Sequence, residues 1–179
     1  SRNRFTMAED LSKAVIKTFV QLYQKKLIYK DTKLVNWDTK LETAISDLEV
    51  EQKEVQSNLY FIKYNLVENN EHITIATTRP ETMIGDTAVA VNPNDIRYKK
   101  FIGKKIIVPI TNREVKIISD NYVVIDQGSG ALKVTPAHDF NDFDIGKRHK
   151  LEFINIFERN GKLNNSVPKD FVGLNRFDA

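Results

Sequence analysis

The middle of this chain alternates, and that limits what it can fold into. In 72-HITIATT-78, 86-DTAVAVN-92, 102-IGKKIIVPI-110, 115-VKIIS-119 and 122-YVVID-126, apolar runs of strand length are separated by polar turns. Leu59, Phe61 and Tyr64 extend the pattern upstream, as do Ile45, Leu48 and Val50 and the segment 27-LIYKDTKLVNW-37, which turns at Lys30-Asp31. Helices are expected in few places. The first follows a capping box made by Thr6 and Glu9, with Leu11, Ala14, Val15, Phe19 and Leu22 at helical spacing to about Lys26. The others are a short one after Pro80, one near Asn94 to Lys100, and one from about His138 to His149. Many strands and few helices, in no strict βαβ order, predict an α+β fold: a barrel-like core of mixed strands with a few peripheral helices.

A closed sheet needs a core, and 179 residues are enough for a single domain over 1–179. The expected divisions are a connecting helix and hairpin over about 6–50, a core over about 51–160, and a polar return tail over 161–179 that winds along the surface. There is no cysteine, which excludes disulfides, thiolate zinc sites and a cysteine nucleophile. No apolar run approaches membrane-spanning length and no signal peptide opens the chain, so a cytoplasmic protein without a membrane partner is expected. A net charge of +3 does not demand nucleic acid. The basic residues do cluster, at Arg97, Lys99, Lys100, Lys104 and Lys105 and at Lys147, Arg148 and Lys150, as solvated faces or as contacts to RNA.

Two stretches carry chemistry. In 77-TTRPET-82 a strand ends where Pro80 permits a helix to begin, and Thr78 and Glu81 have the spacing of a capping box. Arg79 caps nothing in that reading and is left unexplained by it. The second stretch is 133-KVTPAHDFNDFDIGKRH-149, preceded by a turn at Gly128-Ser129-Gly130. Lys133 and Thr135 are two apart on a strand and share a face, and Pro136 ends the strand. Asp139 and Asp142 are one helical turn apart and face the same way, with Gly146 removing bulk nearby. Acids favour a helix N-terminus, which accounts for one carboxylate but not for two below a cleft. His138 and Asp142, at i and i+4, have the spacing of a metal pair, but two ligands are too few for a metal site.

These stretches resemble the editing domain inserted in the class I synthetases for valine, isoleucine and leucine, over essentially the whole chain. TTRPET looks like that domain's first motif and GSGALKVTPAHDFND like its second. The valine branch is favoured by 35-VNWDTKLETAISDLEVE-51 and by KVTPAHD. Where the family carries an aromatic residue before Gly-Thr-Gly, this chain has Gln127 before Gly128-Ser129-Gly130. No HIGH-like or KMSKS-like motif is present, so the chain is expected not to activate an amino acid by itself. It is expected to rejoin a parent catalytic domain at Phe5 and near Phe177.

The resemblance implies a task. A pocket shaped for valine admits threonine, its near isostere, so a second site must hydrolyse threonyl-tRNA(Val) and spare valyl-tRNA(Val). By resemblance, Asp139 takes the α-ammonium and Asp142 accepts from the β-hydroxyl. Thr77 and Thr78 line the pocket and hold the terminal adenosine. Arg79 and Lys133 stabilise the developing oxyanion or position the ester, and Thr135 orients the water or the amino acid. His138 receives no role as a base. The implied partners are the 3′ CCA end of tRNA(Val), the mischarged threonine and the parent synthetase. No cofactor or metal is implied, since ATP and magnesium serve the parent alone. The alternatives are an editing domain of the isoleucine or leucine branch, a tRNA-binding module without activity, and a metal-dependent hydrolase using His138 and the aspartates.

Overall fold

The computed structural model describes residues 7–179. Phe5, and Thr6 of the expected capping box, lie outside the described residues. The chain forms two compact units, one up to Lys33 and one from Leu34 to Ala179. The first contains helix α1 (Glu9–Gln24), whose first turn carries Glu9 and Asp10 and whose N-cap is Ala8.

The second unit opens with a small antiparallel hairpin, β1 (Asn36–Asp38) and β2 (Thr43–Ile45). Of the expected strand over 27–37, only Asn36 and Trp37 take strand structure. Leu48, expected on a strand, stands 98% exposed in a single 3-10 turn, Asp47–Glu49, closed by a Ser46–Glu49 capping box. Trp37 is fixed differently: its indole N–H donates to the Arg159 carbonyl at 2.8 Å.

The main sheet has six strands: β3 (Tyr60–Leu66), β4 (His72–Thr77), β5 (Ala88–Val91), β6 (Lys105–Val108), β7 (Arg113–Ser119) and β8 (Ala131–Val134). Their order is β4-β3-β6-β7-β5-β8, antiparallel throughout except for the parallel pair β5–β7. The end strands β4 and β8 lie against one another, so the sheet curls into a nearly closed barrel, as the alternating pattern predicts. Inward positions alternate along each strand: Tyr64 and Leu66, Ile73 and Ile75, Ile106 and Val108, Val115 and Ile117. Phe61, which the sequence groups with Tyr64, has the opposite parity and is 62% exposed.

Strand β5 explains how the site is built. All four of its residues are buried. Val89 and Val91 fill the barrel, while Ala88 and Ala90 face outward and are covered with Val134, Val123 and Ile145. Ile145 belongs to helix α2 (Phe140–His149). On β8, Lys133 pairs with Val89 and Ala131 with Val91, so Lys133 shares the inner face of the sheet. A third cluster joins Ile84, Ile156, Leu163 and Val167. The tail is therefore anchored by two buried apolar side chains, which corrects the expectation of a purely surface path.

The segment 122–126, expected as a strand, is a loop. Asp120 accepts the Tyr122 N–H at 2.9 Å and turns the chain. Its buried carboxylate is gripped by Arg148, at 3.0 and 3.1 Å, and by His149 at 2.9 Å. From the other side, the Arg97 guanidinium donates to the Ile125 carbonyl at 2.8 Å and the Tyr98 hydroxyl to the Ser129 carbonyl at 2.8 Å. Gly130 has φ +76°, and a Cβ there would lie 2.7 Å from the Ile125 carbonyl oxygen, so glycine closes this loop.

Candidate active site

The first wall is where β4 ends. Thr77 Oγ1 accepts the Arg79 N–H at 3.1 Å, and Pro80 begins a 3-10 helix over Pro80–Gly85. The capping box expected from Thr78 and Glu81 does not form. The cap position is Arg79, whose carbonyl accepts the Thr82 N–H at 3.3 Å and the Thr82 hydroxyl at 3.0 Å. The tighter i to i+3 turn shifts the cap by one residue. Thr78 and Arg79 are thereby left exposed on the pocket wall, and Arg79 reaches across to the His138 carbonyl at 3.4 Å.

The second wall is the passage from β8 into α2. Asp139 is the N-cap: its Oδ1 accepts the N–H groups of Asn141 at 2.9 Å and Asp142 at 3.2 Å. The helix therefore starts at Phe140 rather than His138. Asp142 turns inward and accepts the Thr135 N–H at 2.9 Å, tying the helix to the strand it follows. Gly146 lets α2 approach, since a Cβ there would lie 2.7 Å from the Cβ of Pro136.

Thr77, Thr78, Arg79, Lys133, Thr135, Asp139 and Asp142 all line one pocket of about 240 Å³, together with His138 and the half-exposed Tyr122. These seven residues from the two stretches share one cavity, two carboxylates and two cations among them, while Gln127 and Glu81 are not in its lining. Such a set can hold an ammonium group and stabilise a negative charge that develops beside it.

Behind the pocket is a network that sequence reasoning missed. Asp86 is fully buried; its Oδ2 accepts from the Tyr64 hydroxyl at 2.7 Å and its Oδ1 from the Thr135 hydroxyl at 2.6 Å. The Lys133 ammonium donates to Thr135 Oγ1 at 2.6 Å and to Thr82 Oγ1 at 2.7 Å, and lies 3.5 Å from Asp86 Oδ1. Arg113 fixes the backbone here by donating to the carbonyls of Ile84 at 3.1 Å and Asp86 at 2.8 Å. The signal for Asp86 is weak but present: an acid stands two residues before the buried strand AVAV, where an uncompensated charge is costly. Burial pushes the Asp86 carboxyl upward, while the Lys133 charge and the hydroxyl donors pull against that rise. Burial and the neighbouring Asp86 carboxylate raise the Tyr64 hydroxyl.

Burial also raises Asp142 from an ordinary 3.8 to about 6, against the pull of the Thr135 N–H and Lys133. His138 goes the other way: burial lowers it from 6.5 to about 4, so it is neutral near pH 7. Its Nε2 accepts the Ile156 N–H at 3.0 Å, it bonds the Ile154 backbone, and its ring stands edge-on to Phe157 at 4.9 Å. Through these contacts the histidine holds the segment 154–156 in place. Among the described residues no three His, Cys, Asp or Glu side chains are grouped to hold a metal ion.

The basic clusters are largely neutralised. Arg97 pairs with Asp95 at 2.7 Å, Lys100 with Glu71, Lys104 with Glu68 at 3.4 Å, Lys105 with Glu114 at 2.8 Å, and Arg148 with Asp120 at 3.0 Å. Most of these carboxylate partners lie far away in sequence or on other strands, so the sequence clusters conceal the pairing.

A family model described as tRNA synthetases class I (I, L, M and V) matches residues 1–172. All 179 residues align with the valine–tRNA ligase of Pelagibacter ubique at 60% identity and with that of Staphylococcus haemolyticus at 56%. The chain spans about a fifth of the length of these relatives, 20% in each case. Among solved structures, a ternary complex of Agrobacterium radiobacter LeuRS with tRNA and LeuAMS shares the fold: TM-score 0.50 and 19% identity, over 84% of this chain and 29% of that one.

Proposed function

Because the chain belongs to the class I tRNA synthetases of the I, L, M and V group, we propose that it is the editing domain of a valine–tRNA ligase. Its pocket hydrolyses the ester of threonyl-tRNA(Val) and spares valyl-tRNA(Val). The observation that carries this reading is the pairing of Asp139 and Asp142 with Arg79 and Lys133 around one small cavity.

Each group has a task that its surroundings support. Asp139 is half-buried at the head of α2, and its carboxylate takes the α-ammonium of the aminoacyl ester while Oδ1 keeps its cap bonds. Asp142 lies deeper; its Oδ2 holds the Thr135 N–H, and its carboxylate lines the cavity. It accepts the β-hydroxyl of threonine. Valine offers no donor, so binding valine leaves that buried carboxylate with one acceptor unmet, which discriminates by roughly 10⁴. Lys133 and Arg79 face the carbonyl and stabilise the oxyanion that forms when water attacks. Thr77 and Thr78 sit at the exposed end of the wall, where the terminal adenosine of the CCA end enters. Thr135 orients the water or the amino acid and, giving its hydroxyl proton to Asp86, also accepts from Lys133.

The domain works in the cytoplasm on a tRNA end presented by its parent synthetase, and it needs no cofactor of its own. The test is a panel of mischarged tRNAs, with and without a chelator. Threonyl-tRNA(Val) should be hydrolysed, chelator or not. Preferential hydrolysis of an ester carried by the isoleucine or leucine tRNA would reassign the branch, and loss of activity with chelator would favour the metal-dependent alternative.

A further inference from the structure

Lys133 faces the pocket, but what fixes it lies behind it in the barrel. A threonine hydroxyl has one proton to give. Thr82 gives its proton to the Arg79 carbonyl at 3.0 Å, and Thr135 gives its proton to Asp86 Oδ1 at 2.6 Å. Both hydroxyls therefore present lone pairs to Lys133, at 2.7 and 2.6 Å. At Thr135 this polarity depends on where the Asp86 carboxylate points. Arg113 holds the Asp86 carbonyl, so the freedom that remains to the side chain is rotation. The Tyr64 hydroxyl removes it by donating to Oδ2 at 2.7 Å.

Tyr64 is fully buried and sits at an inward position of β3, among isoleucines, valines and leucine. A phenylalanine would fill that space. A hydroxyl in an apolar core costs free energy unless it is bonded, and here its partner is Asp86. We infer that Tyr64 is a positioning residue of the pocket: its hydroxyl fixes Asp86, Asp86 fixes the Thr135 proton, and Thr135 with Thr82 fixes the Lys133 ammonium. This inference rests on the hydrolytic reading only for its effect on rate; the relay itself is independent of it.

The experiment compares the chain with Tyr64→Phe and with 3-fluorotyrosine placed at position 64, which keeps the ring and strengthens the donor. Three quantities are read: thermal melting, the side-chain ammonium resonance of Lys133 with its rate of proton exchange, and the kinetics on threonyl-tRNA(Val). In Tyr64→Phe the Lys133 protons should exchange about tenfold faster, and kcat should fall about tenfold with KM changed less than about twofold. The fluorinated residue should displace the Lys133 resonance in the opposite sense. Unchanged Lys133 shift and exchange in a folded Tyr64→Phe chain would overturn the relay. If that variant does not fold, an unmoved resonance with fluorotyrosine overturns it instead. Absence of hydrolysis by the unmodified chain would count against the editing reading while the Lys133 resonances still decide the relay.

Discussion

Asp139 does two things, and they can be separated. As a cap it satisfies two N–H groups of α2; as a carboxylate it is the proposed partner of the ammonium. Asparagine caps as well as aspartate but carries no charge. Asp139→Asn should therefore leave the melting temperature nearly unchanged and lower threonyl-tRNA hydrolysis about a hundredfold. Alanine at that site would confound the two effects by costing about 1 kcal/mol of cap. Asp142 and His138 act on stability with opposite signs. The Asp142 carboxyl is raised from 3.8 to about 6, so between those values the native state holds a proton that the unfolded state has released. Stability therefore falls as pH rises through that window, by about 3 kcal/mol in all. His138 is lowered from 6.5 to about 4, so the unfolded state takes up its proton first, and stability falls as pH drops from 6.5 toward 4. Asp142→Asn removes the first slope. Melts across pH should show a more stable protein near neutrality and a steeper loss in acid, while threonine and valine esters are hydrolysed at rates brought closer together. An unchanged ratio of those rates would show that Asp142 does not sense the hydroxyl.

At the scale of elements, the site depends on α2 lying tight against the end of β8. Gly146 permits it, since a Cβ would sit 2.7 and 2.8 Å from two atoms of the Pro136 ring. Alanine gains about 1 kcal/mol of helix propensity, but overpacking against a rigid ring costs about 1–3 kcal/mol. Gly146→Ala should be destabilised in denaturant titration and should lose editing, because α2 carries Asp142. Much of this level was legible in the sequence. Period-two alternation marked β4 and β7, and Pro136 with two acids marked the start of α2. What was not legible has physical causes. In 122-YVVID-126 only Val123 is buried, and the loop is held by a local turn on Asp120 and by Arg97, which reaches the Ile125 carbonyl from elsewhere in the fold. The Thr78–Glu81 capping box failed because a 3-10 turn moved the cap to Arg79. Asp86 and Tyr64 were missed because a polar pair on separate elements is visible only once the barrel closes.

For the whole molecule, the barrel brings two motifs distant in sequence onto one rim, with β4 and β8 adjacent although they are the ends of the strand order. It also pairs most of the basic clusters with carboxylates, so RNA affinity of the isolated chain should be weak and should have a shallow dependence on salt. A filter-binding titration with tRNA(Val) showing a steep salt slope would contradict that pairing. The central claim is that two carboxylates in one pocket select a hydroxylated aminoacyl ester for hydrolysis. The most direct test is the rate of deacylation of threonyl-tRNA(Val) beside valyl-tRNA(Val), for the chain and for Asp139→Asn in the same assay. Rapid loss of threonine alone is expected, slowed about a hundredfold by the substitution in a protein that melts normally. Equal hydrolysis of both esters, or a fully active Asp139→Asn, would contradict that claim.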